Sequence, residues 1–394
     1  MTLVYATTAR LPTVMAHGLQ IAENCAAFAA AGVDVTLLAA RRRVGPALGQ
    51  ALGDPRTHYG LDSPYAFDRL PSIDVTGLDV GWPFRLMSVT FGLALRRRLR
   101  ALPAHAVVYT RDPFVLAVLG RAWPRHKLVL ELHQMAESWL GRRLHARAVG
   151  SAGLVVAVTA GLEAYARGLG APRTTIAPTG VSDRRLIDPP ARDQARTRLG
   201  LPHDAFVVGY AGRLQTLGMS KGVELLVDAA ARLTDVPTTL AVVGGPSDMV
   251  DDLRRRWLAG GLPGERFVAP GQVPPADVPM WLAAFDVGTL PFPDTRHFAE
   301  CASPLKLFEY LAAGLPVVAS RLPSLIEPMV DGRAALFVEA DDAAAMATAL
   351  AALYRDPARR ARMGEASRAL AHLHRLSTRA QRILAAIRAA GEHR

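Results

Sequence analysis

The chain is poor in cysteine: 394 residues hold two, Cys25 and Cys301. So sparse and distant a pair builds no disulfide framework, joins no metal-ligand cluster, and points to a reducing compartment. The 11 histidines show no H-E-x-x-H or related spacing, so the sequence suggests no zinc site. No apolar run reaches the ~18 residues that a bilayer span needs. The opening MTLVYATTARLP has no charged leader before a long apolar core and reads as a first strand, not a signal peptide. The expectation is a cytoplasmic protein, free or held peripherally on the inner face of a membrane. No D-x-D occurs, so there is no obvious carboxylate pair for a metal-bound diphosphate. No G-x-G-x-x-G follows the first strand, which sets aside a dinucleotide oxidoreductase. Aromatic residues make up 6% and do not interleave with the basic runs, which argues against nucleic acid.

What is present is apolar and basic. Half the residues are hydrophobic, and the length suits two domains with a core each. The net charge of +11 is uneven: residues 1–182 carry 20 Lys and Arg against 11 Asp and Glu, the remainder 26 against 24. Arg41-Arg42-Arg43 and Arg96-Arg97-Arg98 with Arg100 concentrate the excess, either as solvated faces or as a patch for an anionic partner. The segment Pro83–Leu102, apolar and then basic, is either an ordinary covering helix or one that lies at an anionic membrane surface.

Short β-rich runs alternate with helical patterns. Leu3–Thr7, Val33–Ala39, Ala106–Thr110, Lys127–Leu132, Gly153–Val158 and Thr174–Ala177 read as buried parallel strands, with helices such as His17–Ala31 and Gly161–Leu169 between them. The second half repeats the scheme at Phe206–Tyr210, Thr239–Val243, Arg266–Val268, Val287–Leu290, Pro316–Ser320 and Ala335–Val338. The pattern predicts an α/β protein with two doubly wound parallel sheets. Pro178, Gly180, Pro189 and Pro190 mark the break. The expected domains are 1–182, 183–372, and a last helical segment, 373–394, that folds back. Ligands of such sheets sit beyond the carboxyl ends of the strands, so a cleft between the domains is the expected site.

The segment CASPLKLFEYLAAGLPVVAS, Cys301–Ser320, concentrates chemistry. Ser303 reads as a helix N-cap, Pro304 as the first helical residue, and Gly314 as the stop. Leu305, Phe308 and Ala312 fall on one face, and Glu309 shares that apolar side. The bland account is a core helix whose Glu pairs with an Arg. The other is a helix start that binds an anion beside a sheltered acid for hydroxyls. Upstream, Arg213 and Lys221 lie eight residues apart in a loop with Gly212, Gly218 and Gly222, suited to clamping a diphosphate.

Arg213 with Lys221-Gly222, TIAPTGVSD at Thr175–Asp183, SPLKLFEYLAAGLPVVAS at Ser303–Ser320 and AHGLQIAENCAAFAAAGVDVTLL at Ala16–Leu38 together resemble the family 4 glycosyltransferases, in order along nearly the whole chain. The resemblance implies the GT-B architecture. Two Rossmann-like domains face a cleft, the second holds the nucleotide-sugar donor, and the first takes the acceptor. It implies retention of anomeric configuration without a metal or other cofactor. By position, Arg213 and Lys221 neutralise the departing diphosphate, with Gly212 and the helix start Ser303, Pro304 and Leu305 around it. Glu309 matches the second acid of Glu-x7-Glu, which holds the ribose. His133 lies beside the donor sugar, Gly18 near the diphosphate, and Gln272 and Val273 near the base. The first acid falls at Cys301, so Glu300, or backbone groups around Ala302 and Ser303, must take its part. The implied donor is a UDP- or GDP-sugar, and the acceptor a small molecule, a lipid-linked compound or a glycan. Competing readings are a GT-B-type nucleotide-sugar epimerase and a non-catalytic nucleotide-sugar or membrane scaffold.

Overall fold

A computed structural model of the chain describes all residues except Val14, 44–52, 76–80, Ala104, 188–189, 330–332 and 393–394. Pro189, one marker of the expected break, lies outside the described residues. The chain forms two units, Met1–Pro178 with Leu376–Arg394, and Thr179–Arg375.

The first unit carries a seven-stranded parallel sheet: β1 (Thr2–Thr7), β2 (Asp34–Ala40), β3 (Ala66–Leu70), β4 (Val107–Thr110), β5 (Leu128–Leu132), β6 (Leu154–Ala157) and β7 (Thr174–Ile176). Their order is β3-β2-β1-β4-β5-β6-β7, so chain direction across the sheet reverses between β1 and β4. Ligands of doubly wound sheets gather at such a reversal. The central strands β1, β2, β4, β5 and β6 are largely apolar because both faces are covered, with Glu131 a charged residue inside β5. The edge strand β3 has the sequence AFDRL; it is half-exposed and charged, and its pattern hides it from a search for apolar runs. The last helix, Leu376–Glu392, buries Ala380, Ile383, Leu384 and Ile387 in the core formed by Leu3, Tyr5, Tyr109 and Val156. That three-and-four spacing gives the helix a single apolar face.

The second unit holds β8 (Phe206–Ala211), a small hairpin of β9 (Gln215–Thr216) and β10 (Met219–Ser220), then β11 (Thr238–Val243), β12 (Phe267–Gly271), β13 (Val287–Leu290), β14 (Val317–Ser320) and β15 (Ala335–Val338). Its six-stranded sheet runs β12-β11-β8-β13-β14-β15, all parallel, with the reversal between β8 and β13. Alternation along β8 divides its side chains between two cores. Phe206, Val208 and Tyr210 enter one, Val207 and Ala211 the other. Gly209 has no room for a side chain, since a Cβ there would lie 1.9 Å from the Phe285 ring.

The unit boundaries differ by a few residues from the expected 182 and 372. Thr179 is tied to Ser303 by three hydrogen-bond contacts, and the Val181 N–H donates to the His374 carbonyl at 3.0 Å. These bonds assign 179–182 and 373–375 to the second unit. The expected last segment, 373–394, is the single helix Leu376–Glu392; the helix before it, Pro357–Leu373, belongs to the second unit, and the chain changes units in the short break between them.

Candidate functional site

In the second unit the site residues stand at the carboxyl edge of the sheet. The stretch that reads as a loop between Arg213 and Lys221 is the β9–β10 hairpin. Its two-residue turn, Leu217-Gly218, has φ of +51° and +76°, the left-handed pair that matches strand twist. The Lys221 N–H donates to the Leu214 carbonyl at 2.9 Å, which closes the hairpin base and sets Lys221 beside the Arg213-Leu214 step. Gly222, with φ +72°, comes next, and a Cβ there would lie 2.0 Å from the Pro291 carbonyl oxygen. Only glycine lets the chain turn under β13 at this point. Lys221 Nζ stands 5.9 Å from the centre of the Phe292 ring. Gly212 has φ +141°, and a Cβ there would meet Lys306 Cγ at 3.4 Å, so the loop after β8 and the helix Leu305–Ala312 lie against each other.

In the second unit, Lys306 is a residue that sequence reasoning missed. Burial, then the charges of Arg213 and Lys306, lower the Lys221 ammonium to about 8. Two cations at the base of one hairpin and a third on the helix Leu305–Ala312 are therefore close enough for the other two to act on Lys221. A signal was present in the sequence: lysine occurs only at 127, 221 and 306 in a chain rich in arginine.

The helix itself starts one residue later than expected. Pro304 is the N-cap, with φ −72° and ψ 125°, and no side chain caps the first turn. Ser303 is engaged elsewhere: its Oγ accepts from the Thr179 N–H at 3.0 Å, and its carbonyl accepts from Thr179 Oγ1 at 2.6 Å. Leu305 is half-buried, whereas Leu307, Phe308, Tyr310 and Leu311 are all buried, so the apolar face is broader than the expected stripe. Glu309 is 6% exposed. Its partner is Lys306 Nζ at 2.5 Å, not an arginine.

Glu300 lies on a single π turn, His297–Cys301, closed by the Ala302 N–H to the His297 carbonyl at 3.0 Å. Such a turn inserts one extra residue and rotates the next part of the chain. Glu300 contacts Arg296 at 3.4 Å with its side chain 44% exposed, while Cys301 is buried. Gln272 and Val273 come after Gly271 at the end of β12. Gln272 is exposed, and Val273 packs on the core. Among the described residues, no group of three or more His, Cys, Asp or Glu gathers to hold a metal ion.

In the first unit, Gly18 lies in the first turn of the helix Ala16–Ala30. A Cβ there would meet Thr13 Cγ2 and the Tyr59 hydroxyl, each at 2.4 Å. The close approach that requires glycine is thus made by the protein's own side chains. His133 comes directly after β5, and its Nε2 lies 2.5 Å from Glu131 Oε1. Burial, then Arg111, lower its pKa to about 4 against the opposing pull of Glu131, so the ring is neutral at pH 7. Glu131 is wholly buried at the heart of the sheet and had no place in the sequence reading.

Residues 17–180 match the family model described as glycosyl transferase 4-like domain, and residues 205–356 the one described as glycosyl transferases group 1. The chain belongs to the group 1 glycosyltransferases. A D-inositol 3-phosphate glycosyltransferase of Arthrobacter sp. (strain FB24) is 36% identical over 200 residues, 49% of this chain and 44% of the relative. D-inositol 3-phosphate glycosyltransferase 1 of Catenulispora acidiphila is 37% identical over 187 residues, 45% and 42% respectively. The chain thus spans less than half the length of these two curated relatives. Among solved structures, sucrose-phosphate synthase from Thermosynechococcus elongatus superposes with a TM-score of 0.77 at 20% identity, covering 98% of both chains. HepE of Anabaena in complex with UDP gives 0.72 at 20% identity, covering 99% of this chain and 100% of its own. The glycosyltransferase WaaG gives 0.68 at 16%, covering 98% of both. The fold is GT-B, with two parallel-sheet α/β domains.

Proposed function

We propose that this glycosyltransferase-family protein moves a sugar from a nucleoside diphosphate sugar to an acceptor hydroxyl, with retention at the anomeric carbon and without a metal ion. The observation that carries the reading is the convergence of Arg213, Lys221 and Lys306; burial first, and then the charges of the other two, lower the Lys221 ammonium to about 8. Like charges gathered at the carboxyl edge of a parallel sheet oppose one another, and a bound diphosphate offsets that cost. Cleavage of the donor leaves negative charge on the diphosphate and positive charge on the sugar ring. The three cations and the uncapped start of Leu305–Ala312 stabilise the first. Glu309 receives ribose hydroxyls as an acceptor, and His133 meets the donor sugar as a neutral ring. Glu300, paired with Arg296 at a half-exposed position where such a pair is weak, is the acid assigned to the sugar. Gln272 and the backbone at Val273 border the base. Retention results if the acceptor hydroxyl enters on the face that the diphosphate leaves.

HepE carries UDP in its crystals, which favours uridine as the base here. The relatives named for D-inositol 3-phosphate favour a small phosphorylated acceptor, which the basic excess of residues 1–182 suits. The helix Gly81–Leu99 supports a membrane-facing role. Its outer stripe, Trp82, Arg85, Val89, Leu93 and Arg96, is exposed and mixes apolar with basic side chains. Among the described residues no helix is long and apolar enough to cross a membrane.

A thermal-shift panel of UDP-, GDP-, ADP- and TDP-sugars tests the donor, since ligands that bind the native state raise its apparent stability. UDP-sugars should shift the wild type and not Arg213→Ala. Transfer should continue in excess chelator, with free UDP appearing only when an acceptor is present. Release without acceptor at the same rate, or full activity of Arg213→Ala, overturns the reading. Equal, negligible sedimentation with anionic and neutral vesicles removes the membrane role.

A further inference from the structure

Glu131 sits on β5 opposite Val156 of β6, with no exposed surface. A carboxylate there needs donors on every side. The Tyr109 hydroxyl, from β4, donates to its Oε2. His133 Nε2 lies 2.5 Å and Arg379 Nη2 3.0 Å from its Oε1. Arg379 comes from the last helix and is itself pinned. Its Nε donates to the Pro178 carbonyl at 2.8 Å, and its Nη1 to Asn24 Oδ1 at 3.0 Å. One guanidinium, brought in from near the end of the chain, thus neutralises the acid that touches His133.

We propose that Glu131 and Arg379 are positioning residues that hold His133 as its Nε2–H tautomer, so that Nδ1 is presented as a hydrogen-bond acceptor. The proposal rests on the reading that His133 faces the donor sugar. A neutral imidazole has one donor and one acceptor nitrogen, and an ionised carboxylate only accepts. The hydrogen on His133 must therefore stand on Nε2, between the ring and Glu131. Burial alone would push the Glu131 carboxyl up; Arg379, followed by His133 and Arg111, holds it well below the usual carboxylate range. Arg379 keeps the acid ionised, and the ionised acid sets the ring. Nδ1 can then take a hydrogen bond from a sugar hydroxyl and cannot give one. That selects a donor sugar whose hydroxyl points its hydrogen at the ring. The last helix thereby supplies a charge to the site as well as an apolar face to the core.

The test uses full-length protein with labelled histidine and reads the ring nitrogens of His133 by NMR without substrate, assigning the signal with His133→Gln. The wild type should show a protonated Nε2 and a bare Nδ1. Glu131→Gln, whose amide can also donate, should lose the pure signature and lower kcat about tenfold or more with KM little changed. Arg379→Lys keeps the charge and should keep the signature. A wild-type ring protonated on Nδ1 overturns the proposal whether or not either variant folds. A Glu131→Gln variant with unchanged ring signature and unchanged kcat overturns it too. Failure of the transferase reading would appear separately, as absence of turnover with every donor while the ring signature still stands.

Discussion

Lys306 Nζ lies 2.5 Å from Glu309 Oε2, three residues apart on one short helix, and the same ammonium adds to the charge that holds Lys221 down. Glu309 is nearly buried, so Lys306 is what lets an acid remain there. Replacement of Lys306 by Met should cost about 2 kcal/mol of folding stability and weaken UDP binding roughly tenfold. A double-mutant cycle with Glu309→Gln, read by denaturant unfolding, should return a coupling of about 1–2 kcal/mol. Strict additivity would remove the pair from the account.

Lys221 should show a trade between stability and binding. Its folded-state pKa, about 8, is below its ordinary range, so from about pH 8 upward to that range the unfolded chain binds more protons. Stability should therefore rise with pH across this window, and below it the charged ammonium burdens the ligand-free fold. Lys221→Met should raise Tm by about 2–4 °C at pH 7, a modest figure because the side chain is only partly buried, and the gain should fade above pH ~10. The same variant should lose UDP affinity, and wild-type affinity should fall as pH passes 8. A Lys221→Met protein that melts lower at pH 7 would contradict the electrostatic account.

Cys301, where the family resemblance implies an acid, is buried on the π turn. Restoring the acid by Cys301→Glu should fail to help. The carboxylate would enter the interior without a built partner, at a cost of about 3 kcal/mol or more. Thermal unfolding should show the loss, with no gain in donor affinity by calorimetry. A stable variant that bound donor more tightly would show the turn to be able to expose position 301.

Gly18→Ala places a methyl group against Thr13 and Tyr59. The Tyr59 hydroxyl accepts from the Thr13 N–H at 2.9 Å and donates to the Thr13 carbonyl at 2.7 Å, and both bonds must yield. The urea midpoint should fall by an amount worth about 1–3 kcal/mol with m unchanged. An unchanged midpoint would mean that Tyr59 moves freely.

The strands of both sheets were legible because buried parallel strands are continuous apolar runs, a signal carried within five or six adjacent residues. The charged edge strand β3 and the two-residue strands of the Arg213–Lys221 hairpin carry no such run, and only their pairing defines them. Arg213, Lys221 and Glu309 could be marked from residue type and spacing. Ser303 could not be assigned correctly, because its hydroxyl has a choice between its own helix and Thr179, and the fold decides it. Lys306 joins the other cations only once the loop after β8 packs on its helix. Glu131 depends on Arg379, a residue so distant in sequence that no local pattern links them. Short-range chemistry thus determined most strands and helices, the succession of two parallel sheets, and Arg213, Lys221 and Glu309 among the charged groups. Tertiary packing decided which charges meet and which bonds they keep, because electrostatic energy depends on separation and burial, and neither is a property of neighbouring positions in a sequence.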